Sequence, residues 1–118
     1  MALSEELPIF GAAYSLLEKI IDLSKDLPKM LRFTVGSRIV DANLDLLMHV
    51  YRTNMTDDRQ SLFNEMLISQ RMIQMLLRVV YREKAISSGR YAELLKLLDT
   101  IGRQITAWKK NDGTGRSD

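Results

Sequence analysis

The 118-residue sequence predicts an all-α fold, an up-down-up-down antiparallel four-helix bundle. The composition favours helix, because strong helix formers dominate and the chain has only two prolines and six glycines. In four long segments the apolar residues recur three and four positions apart, which is the period of a helix with one buried face. Short turns separate these segments, and short connections favour antiparallel neighbours.

A proline separates the first two predicted helices. The first runs from about Ile9 to Asp26 and ends before Pro28, because the residue before a proline is disfavoured in the α region. The second runs from about Phe33 to Asn54, with an ion-pair ladder expected along its wet face. The predicted buried positions are Ala13, Leu16, Leu17, Ile20 and Leu27 in the first helix, and Val40, Leu44, Leu47, Val50 and Tyr51 in the second. The predicted wet face carries Arg38, Asp41, Asp45, His49 and Arg52.

A cap residue marks the start of each of the last two helices. Thr56 is the predicted N-cap of a third helix that runs from about Asp57 to Lys84. The turn AISSG follows, and Ser87 or Ser88 is expected to cap the fourth helix. The predicted core positions are Leu62, Met66, Ile73, Leu77 and Val80 in the third helix, and Tyr91, Leu94, Leu95, Leu98, Ile101, Ile105 and Trp108 in the fourth.

The fourth helix is expected to end near Lys110. The last eight residues, 111–118, are polar and glycine-rich, so we predict a flexible tail there. Residues 1–110 then form a single four-helix-bundle domain.

The third helix carries more apolar surface than one bundle helix needs. Besides its core row it has a second seam on one flank, at spacings of four, three and four. A lone bundle buries about one stripe per helix, so the seam predicts an interface between subunits; a wide core with a few exposed methionines is the alternative. The second seam comprises Ile68, Met72, Met75 and Val79.

Candidate catalytic and metal-binding residues are scarce. The chain has no cysteine and a single histidine, His49, which falls on the predicted wet face. A metal site needs several converging His, Cys or carboxylate ligands, and Asp57 and Asp58 are explained by helix capping. The sequence predicts no catalytic residue, no metal and no cofactor, and therefore no enzyme. With no run of about 18 apolar residues and an acidic N-terminus, we expect no membrane span and a cytoplasmic location.

Positive charge is concentrated in the middle of the chain. Residues 28–110 contain fourteen Lys and Arg against eight Asp and Glu, a net charge of +6. On the third helix, arginines recur at spacings of seven and four, opposite the core row. Such a surface binds phosphates largely without regard to sequence, although a solvated face is an equally good interpretation of the pattern. The candidate nucleic-acid-binding residues are Arg71, Arg78, Arg82, Lys84, Arg90, Lys96, Arg103, Lys109 and Lys110.

Two stretches resemble a known family over roughly residues 7–110. They are LPKMLRFTVGSRI, residues 27–39, and KAISSGRYAELLKLLDTIGRQITAWKK, residues 84–110. The family contains the bacterial ribosomal-RNA intervening-sequence proteins and the accessory variability determinant (Avd) of diversity-generating retroelements. Thr106-Ala107 departs from the Gly-Gly pair that many members carry. The residues that carry the resemblance are Pro28, Phe33, Gly36, Arg38, Ile86, Ser87, Tyr91, Ile101, Gly102, Arg103, Trp108 and Lys109.

The chain resembles the Avd branch more closely, and that resemblance implies a function. It implies a homopentamer of bundles that associates with the retroelement's reverse transcriptase and binds RNA or DNA through a basic surface. Catalysis then belongs to the polymerase, which makes mutagenic cDNA from a template RNA. The alternative is an intervening-sequence-type bundle, a protein-interaction module without a direct nucleic-acid role.

The glycines and large aromatic residues of these motifs have structural interpretations. Gly36 and Gly102 are expected at close helix contacts, because they lack side chains. Trp108, Tyr81 and Tyr91 are interpreted as packing residues rather than platforms for base stacking.

Overall fold

A computed structural model describes the backbone of residues 6–115 and the side chains of residues 6–112. Within that range the chain forms four helices and no strand, which confirms the predicted four-helix bundle. Each helix packs beside two others: α1 and α3 both lie between α2 and α4. The helices are α1, Pro8–Asp26; α2, built from Lys29–Leu31, a π-helical turn Arg32–Gly36 and Ser37–Met55; α3, Gln60–Arg82; and α4, Ser88–Gly115.

An arginine side chain from α2 caps the end of α1. Leu27 leaves the helix in an extended conformation, as expected for a residue before proline. The guanidinium of Arg32 then donates to the carbonyls of Ser24, Lys25 and Leu27, at 3.2, 3.1 and 3.2 Å. The Ser24 carbonyl also accepts from the Leu27 N–H at 3.3 Å, and the last carbonyls of a helix lack intrahelical partners, so Arg32 stabilises both the helix end and the sharp turn into α2.

Gly36 allows the close contact between the π turn and α1. A methyl group on Gly36 would lie 3.2 Å from both the Leu27 side chain and the Ser24 hydroxyl, and 3.4 Å from the Leu31 carbonyl oxygen. At Gly102 on α4, a methyl group would lie only 2.8 Å from the amide nitrogen of Gln70 on α3. Both glycines therefore occur at close helix contacts, as predicted.

The buried row of α2 differs from the predicted one. Leu44 and Tyr51 were predicted to be core residues but are exposed, Val40 and Leu47 are half-buried, and of the predicted set only Val50 is fully buried. The true core row has polar members, which hide it from an analysis of apolar periodicity. It consists of Ile39, Ala42, Asn43, Leu46, Val50, Thr53 and Asn54.

Hydrogen bonds offset part of the cost of burying the polar side chains in that row. The Asn43 amide donates to the Ala13 carbonyl at 3.0 Å, and the Thr53 hydroxyl donates to the His49 carbonyl at 2.6 Å. The Asn43 side-chain oxygen is buried without a hydrogen bond, which is costly in an apolar core.

The predicted ion-pair ladder on α2 does not form. None of the ion pairs between described residues joins Arg38 or Arg52 to Asp41 or Asp45, although these charges alternate along one exposed face. The predicted wet position of His49 is also wrong. Its side chain is only 15% exposed and its Nδ1 lies 3.5 Å from a Glu65 carboxylate oxygen on α3.

α3 begins later than predicted, and Thr56 is not its N-cap. The Thr56 hydroxyl accepts from the Asp58 N–H at 3.4 Å, but the helix starts at Gln60. The loop before it is held by Arg59, which donates to the Thr56 carbonyl at 2.7 Å and pairs with Asp112 at 2.9 Å. Both members of the pair are largely buried, and the guanidinium lies 5.9 Å from the centre of the Trp108 ring.

α4 starts as predicted and extends further than predicted. Ser87 is its cap, because its hydroxyl accepts from the Arg90 N–H at 3.1 Å. The helix continues past Lys110 to Gly115, through the first part of the predicted tail, and residues 116–118 lie outside the described residues. Trp108 packs edge-on against Phe63 at 5.3 Å between ring centres, so its predicted packing role is confirmed.

Candidate nucleic-acid interface

The three arginines of α3 lie on its exposed face, opposite the core. Arg71, Arg78 and Arg82 are all exposed, and so are Lys84 beyond the helix end and Lys96 on α4. None of these five side chains forms an ion pair or a hydrogen bond with another described residue. Their charges are therefore available to an external anion.

Lys84 occupies a backbone position that usually favours glycine. Its φ is 59°, in the left-handed region, where a residue with a Cβ costs on the order of 1 kcal/mol. The Lys84 N–H donates to the Tyr81 carbonyl at 2.9 Å, and the Ala85 N–H donates to the Val80 carbonyl at 3.1 Å. This compact helix end holds the lysine next to the last turn of α3, where Arg82 lies.

Two of the predicted cations are held by carboxylates. Arg90 points to α1, where it pairs with Asp26 at 2.9 Å and Asp22 at 3.3 Å. Arg103 pairs with Asp99 one turn earlier, at 2.8 Å, on an exposed part of α4. Arg90 lines a groove between α1 and α4, so the structure separates it from the α3 arginines.

The remaining two predicted cations lie near the end of α4. The Lys109 ammonium donates to the Asn64 amide oxygen on α3 at 3.2 Å, and Lys110 is exposed.

A second charge cluster joins α1 to α4 beside Arg90. Lys19 pairs with Glu93 at 2.9 Å. The hydrogen bond from Lys19, with its positive charge, holds the pKa of the Glu93 carboxyl below its ordinary value of 4.5. Sequence analysis missed this cluster, because its pairs join residues that are more than sixty positions apart.

The predicted seam on α3 is exposed in the single chain. Ile68, Met72, Met75 and Val79 are between 41% and 64% exposed, which is unusual for four apolar residues in a row. The apolar surface continues to Phe33 on the π turn of α2, 68% exposed, which lines one groove together with Met72 and Leu76.

α2 carries a separate exposed apolar row that the sequence analysis did not identify as a surface. Its residues recur at spacings of four, three and four on the side of α2 away from the core, and are between 43% and 61% exposed. Leu44 and Tyr51 of this row were predicted to be core residues, so the predicted helical periodicity was correct but the predicted buried face of α2 was wrong. The α2 row comprises Leu44, Met48, Tyr51 and Met55.

A shallow groove of about 270 Å³ runs between α3 and α4 beside the arginines. Arg71 and Arg78 line it, together with Met75 from the seam. Tyr91 lines it from α4, and its ring stacks on Tyr81 with 4.3 Å between centres and 10° between planes. Both tyrosines were predicted to be packing residues, and the structure adds that their rings pack on each other, while Tyr81 remains 38% exposed.

Neither a candidate metal site nor a candidate membrane span is present among the described residues. They contain no group of three His, Cys, Asp or Glu side chains placed to hold a metal ion. Among the same residues, no helix has both the length and the apolar character that crossing a membrane requires.

The fold defines the class of this molecule as a four-helix-bundle protein. Residues 9–111 match the model of a family described as bAvd-like. Because that match covers most of the chain, the protein belongs to the bAvd-like family, in agreement with the resemblance in its motifs. No curated protein matches the chain.

Proposed function

We propose that this protein is a non-enzymatic accessory factor of a diversity-generating retroelement, which binds RNA or DNA and the retroelement's reverse transcriptase. The observation that carries the proposal is the set of five cations on and beside α3 that have no ion-pair partner among the described residues. Phosphate binding requires such charges, since cations already held by carboxylates release fewer counterions. Membership of the bAvd-like family supports the retroelement context.

The bundle presents these cations without mobile loops. Arg71, Arg78 and Arg82 project from one face of a single rigid helix, and Lys84 is fixed at its end. Backbone contacts of this kind position a nucleic acid but carry no sequence information. We therefore propose binding that is largely independent of sequence, with catalysis supplied by the polymerase.

A titration of the purified protein with a structured RNA at several salt concentrations tests nucleic-acid binding. Binding that weakens steeply as salt rises supports the proposal. Negligible binding at the lowest salt overturns it and leaves a protein-interaction module. The reverse-transcriptase part is tested separately, by co-purification with a polymerase encoded beside this gene; failure to co-purify overturns that part.

We further propose that the subunits assemble head to tail into a closed ring, a pentamer by the family resemblance. The α3 seam and the α2 row are two different apolar surfaces of similar length on one subunit. A ring forms when one surface of each subunit contacts a different surface of the next. A two-fold contact in which the α3 seam pairs with itself would instead leave the α2 row exposed.

Two charge variants distinguish these arrangements. Met75→Glu disables the α3 seam and Met48→Glu disables the α2 row, because each would bury an unpaired carboxylate at a cost of several kcal/mol. Each variant alone should therefore be smaller than the wild type by light scattering. In a head-to-tail contact, mixing them restores one good interface and yields a heterodimer. If the mixture gains no mass, the head-to-tail arrangement is wrong.

A further inference from the structure

The groove between α3 and α4 combines positive charge, an aromatic ring and an unused amide. Arg71 and Arg78 lie two helical turns apart, roughly 10 Å along the axis at 1.5 Å per residue. The Gln74 side chain lies between them in sequence and lines the same groove. Tyr91 and Leu95 form the wall contributed by α4.

Gln74 differs from the neighbouring glutamine on the same helix. Gln70 has a structural role, because its amide donates to the Leu98 carbonyl at 2.9 Å. The half-buried Gln74 amide makes no hydrogen bond to any described residue. It therefore offers a donor and an acceptor inside the groove, which is the pair of groups that a nucleobase edge satisfies.

The Tyr91 ring is held in place from one side by Tyr81. A fixed aromatic wall next to guanidinium groups is the arrangement used to bind single strands, where a base packs on the ring and the phosphates follow the cations. A duplex cannot use this wall, since its bases are stacked inside and it presents mainly its backbone.

We propose that the α3–α4 groove is a binding site for one unstacked base of a single-stranded nucleic acid, with Arg71 and Arg78 holding the phosphates on either side. The inference rests on the nucleic-acid binding proposed above and deepens it, because it names the form of nucleic acid and the place of one base. The groove, of about 270 Å³, has room for one base.

Photo-crosslinking of the wild-type protein locates the base directly. The probe is an oligouridylate of about eight nucleotides, within the usual site size, with one 5-iodouridine. Trypsin cleaves after Arg90 and Lys96, so Tyr91 is released in YAELLK, apart from Tyr81 and Trp108. We expect the adduct in YAELLK. An adduct confined to other peptides overturns the inference and leaves the proposed function intact, whereas absence of any RNA binding overturns the proposed function itself.

A pair of substitutions tests the ring itself. Tyr91→Leu should weaken binding of the single strand at least about fivefold, the lower end of what loss of one base–aromatic contact costs. Tyr91→Phe keeps the ring and should retain the wild-type affinity. A GC-rich RNA duplex of equal strand length should bind both variants alike. Equal loss for duplex and single strand overturns the inference. Should Tyr91→Leu fail to give a folded bundle by circular dichroism, the crosslink decides.

A competition experiment separates a nucleic acid from an acidic protein segment as the occupant. Polyglutamate with the same number of charges as the oligouridylate is titrated against the bound probe. Much weaker competition by polyglutamate supports a site for a base. If polyglutamate competes as well as unlabelled oligouridylate, the groove binds anions only and the inference is wrong.

Discussion

Removal of two arginines from α3 should change the salt dependence of binding by a defined amount. The variant is Arg71→Gln together with Arg78→Gln, which removes two exposed charges that have no partner among the described residues. Each phosphate neutralised on a single strand contributes about −0.7 to the slope of log K against log salt concentration. If all five unpaired cations contact phosphates, the wild-type slope is about −3.5 and that of the variant about −2.1.

The chain offers a matched control with the same change in net charge. Lys19→Gln together with Arg90→Gln also removes two positive charges, but both are paired with carboxylates between α1 and α4. These cations should release few counterions, so the control should keep a slope near −3.5. All five charged groups involved are at least partly exposed, and exposed pairs contribute little to stability, so the control should fold normally.

The assay is fluorescence anisotropy with a single-stranded oligonucleotide of about eight nucleotides, a length that one binding module covers. A short probe restricts the contacts to one subunit. A reduction of the slope by about 1.4 in the α3 variant alone would localise the phosphates to α3. Equal reductions in both variants would refute this reasoning, because binding would then follow net charge and not the arginine stripe.

The remaining predictions concern stability and titration. Gly36→Ala should destabilise the fold by up to about 2 kcal/mol in urea unfolding, because crowding of the neighbours at 3.2 Å costs about 1–3 kcal/mol and the higher helix propensity of alanine offsets about 1 kcal/mol; a gain in stability would show that the π turn relaxes. Gly102→Ala should be near neutral, since loss of the Gln70 hydrogen bond, about 1 kcal/mol, is offset by the higher helix propensity of alanine, also about 1 kcal/mol; a large loss would contradict this balance. Lys19→Met should raise the pKa of Glu93 towards its ordinary value in an NMR titration, because the depressed pKa is due first to Lys19. A carboxyl with a depressed pKa stabilises the fold at pH values above its unfolded-state pKa, and this contribution is lost as the pH falls through its folded-state pKa. The variant should therefore lose less stability on acidification than the wild type. An unchanged Glu93 titration would exclude the ion pair in solution. Asn43→Leu should be neutral or stabilising, since it removes a buried oxygen without a hydrogen bond; strong destabilisation would mean that the Asn43 bond to α1 contributes more than its burial costs.

Apolar periodicity predicted the bundle well where the core row is purely apolar. On α3 and α4 the predicted core residues are buried or half-buried, and on α3 the second seam is exposed in the single chain, while its role as a subunit contact stays a prediction. On α2 two rows of residues are candidates for the buried face, and the more apolar row is the exposed one. Asn43 completes the real core row through a hydrogen bond to α1 that only the folded structure supplies, and Thr53 through a bond to the carbonyl one turn earlier in α2, so hydrophobicity alone selected the wrong face.

The features of the candidate site that depend on a single helix could be predicted from the sequence. The spacing of Arg71, Arg78 and Arg82 fixes their common face without any knowledge of neighbouring helices. The role of Arg90 was not predictable, because its carboxylate partners lie on α1, 64 and 68 residues away in sequence. The stack of Tyr81 on Tyr91 likewise depends on how α3 and α4 pack.

Met75 takes part in both of the contacts proposed for α3, the contact between subunits and the contact with a bound strand. It belongs to the seam and also lines the groove. A subunit that packs on the seam therefore lies next to a bound strand. In a closed ring the α3 arginines recur once per subunit, so a long strand can contact several sets of cations and gains affinity by multivalency. We therefore expect the salt dependence to become steeper with strand length in the wild type but not in Met48→Glu, which should separate the subunits without placing a carboxylate in the groove. By linkage, a long strand that spans several subunits must also stabilise the ring, and this reciprocal effect is measurable as a larger assembled mass at low protein concentration when RNA is added.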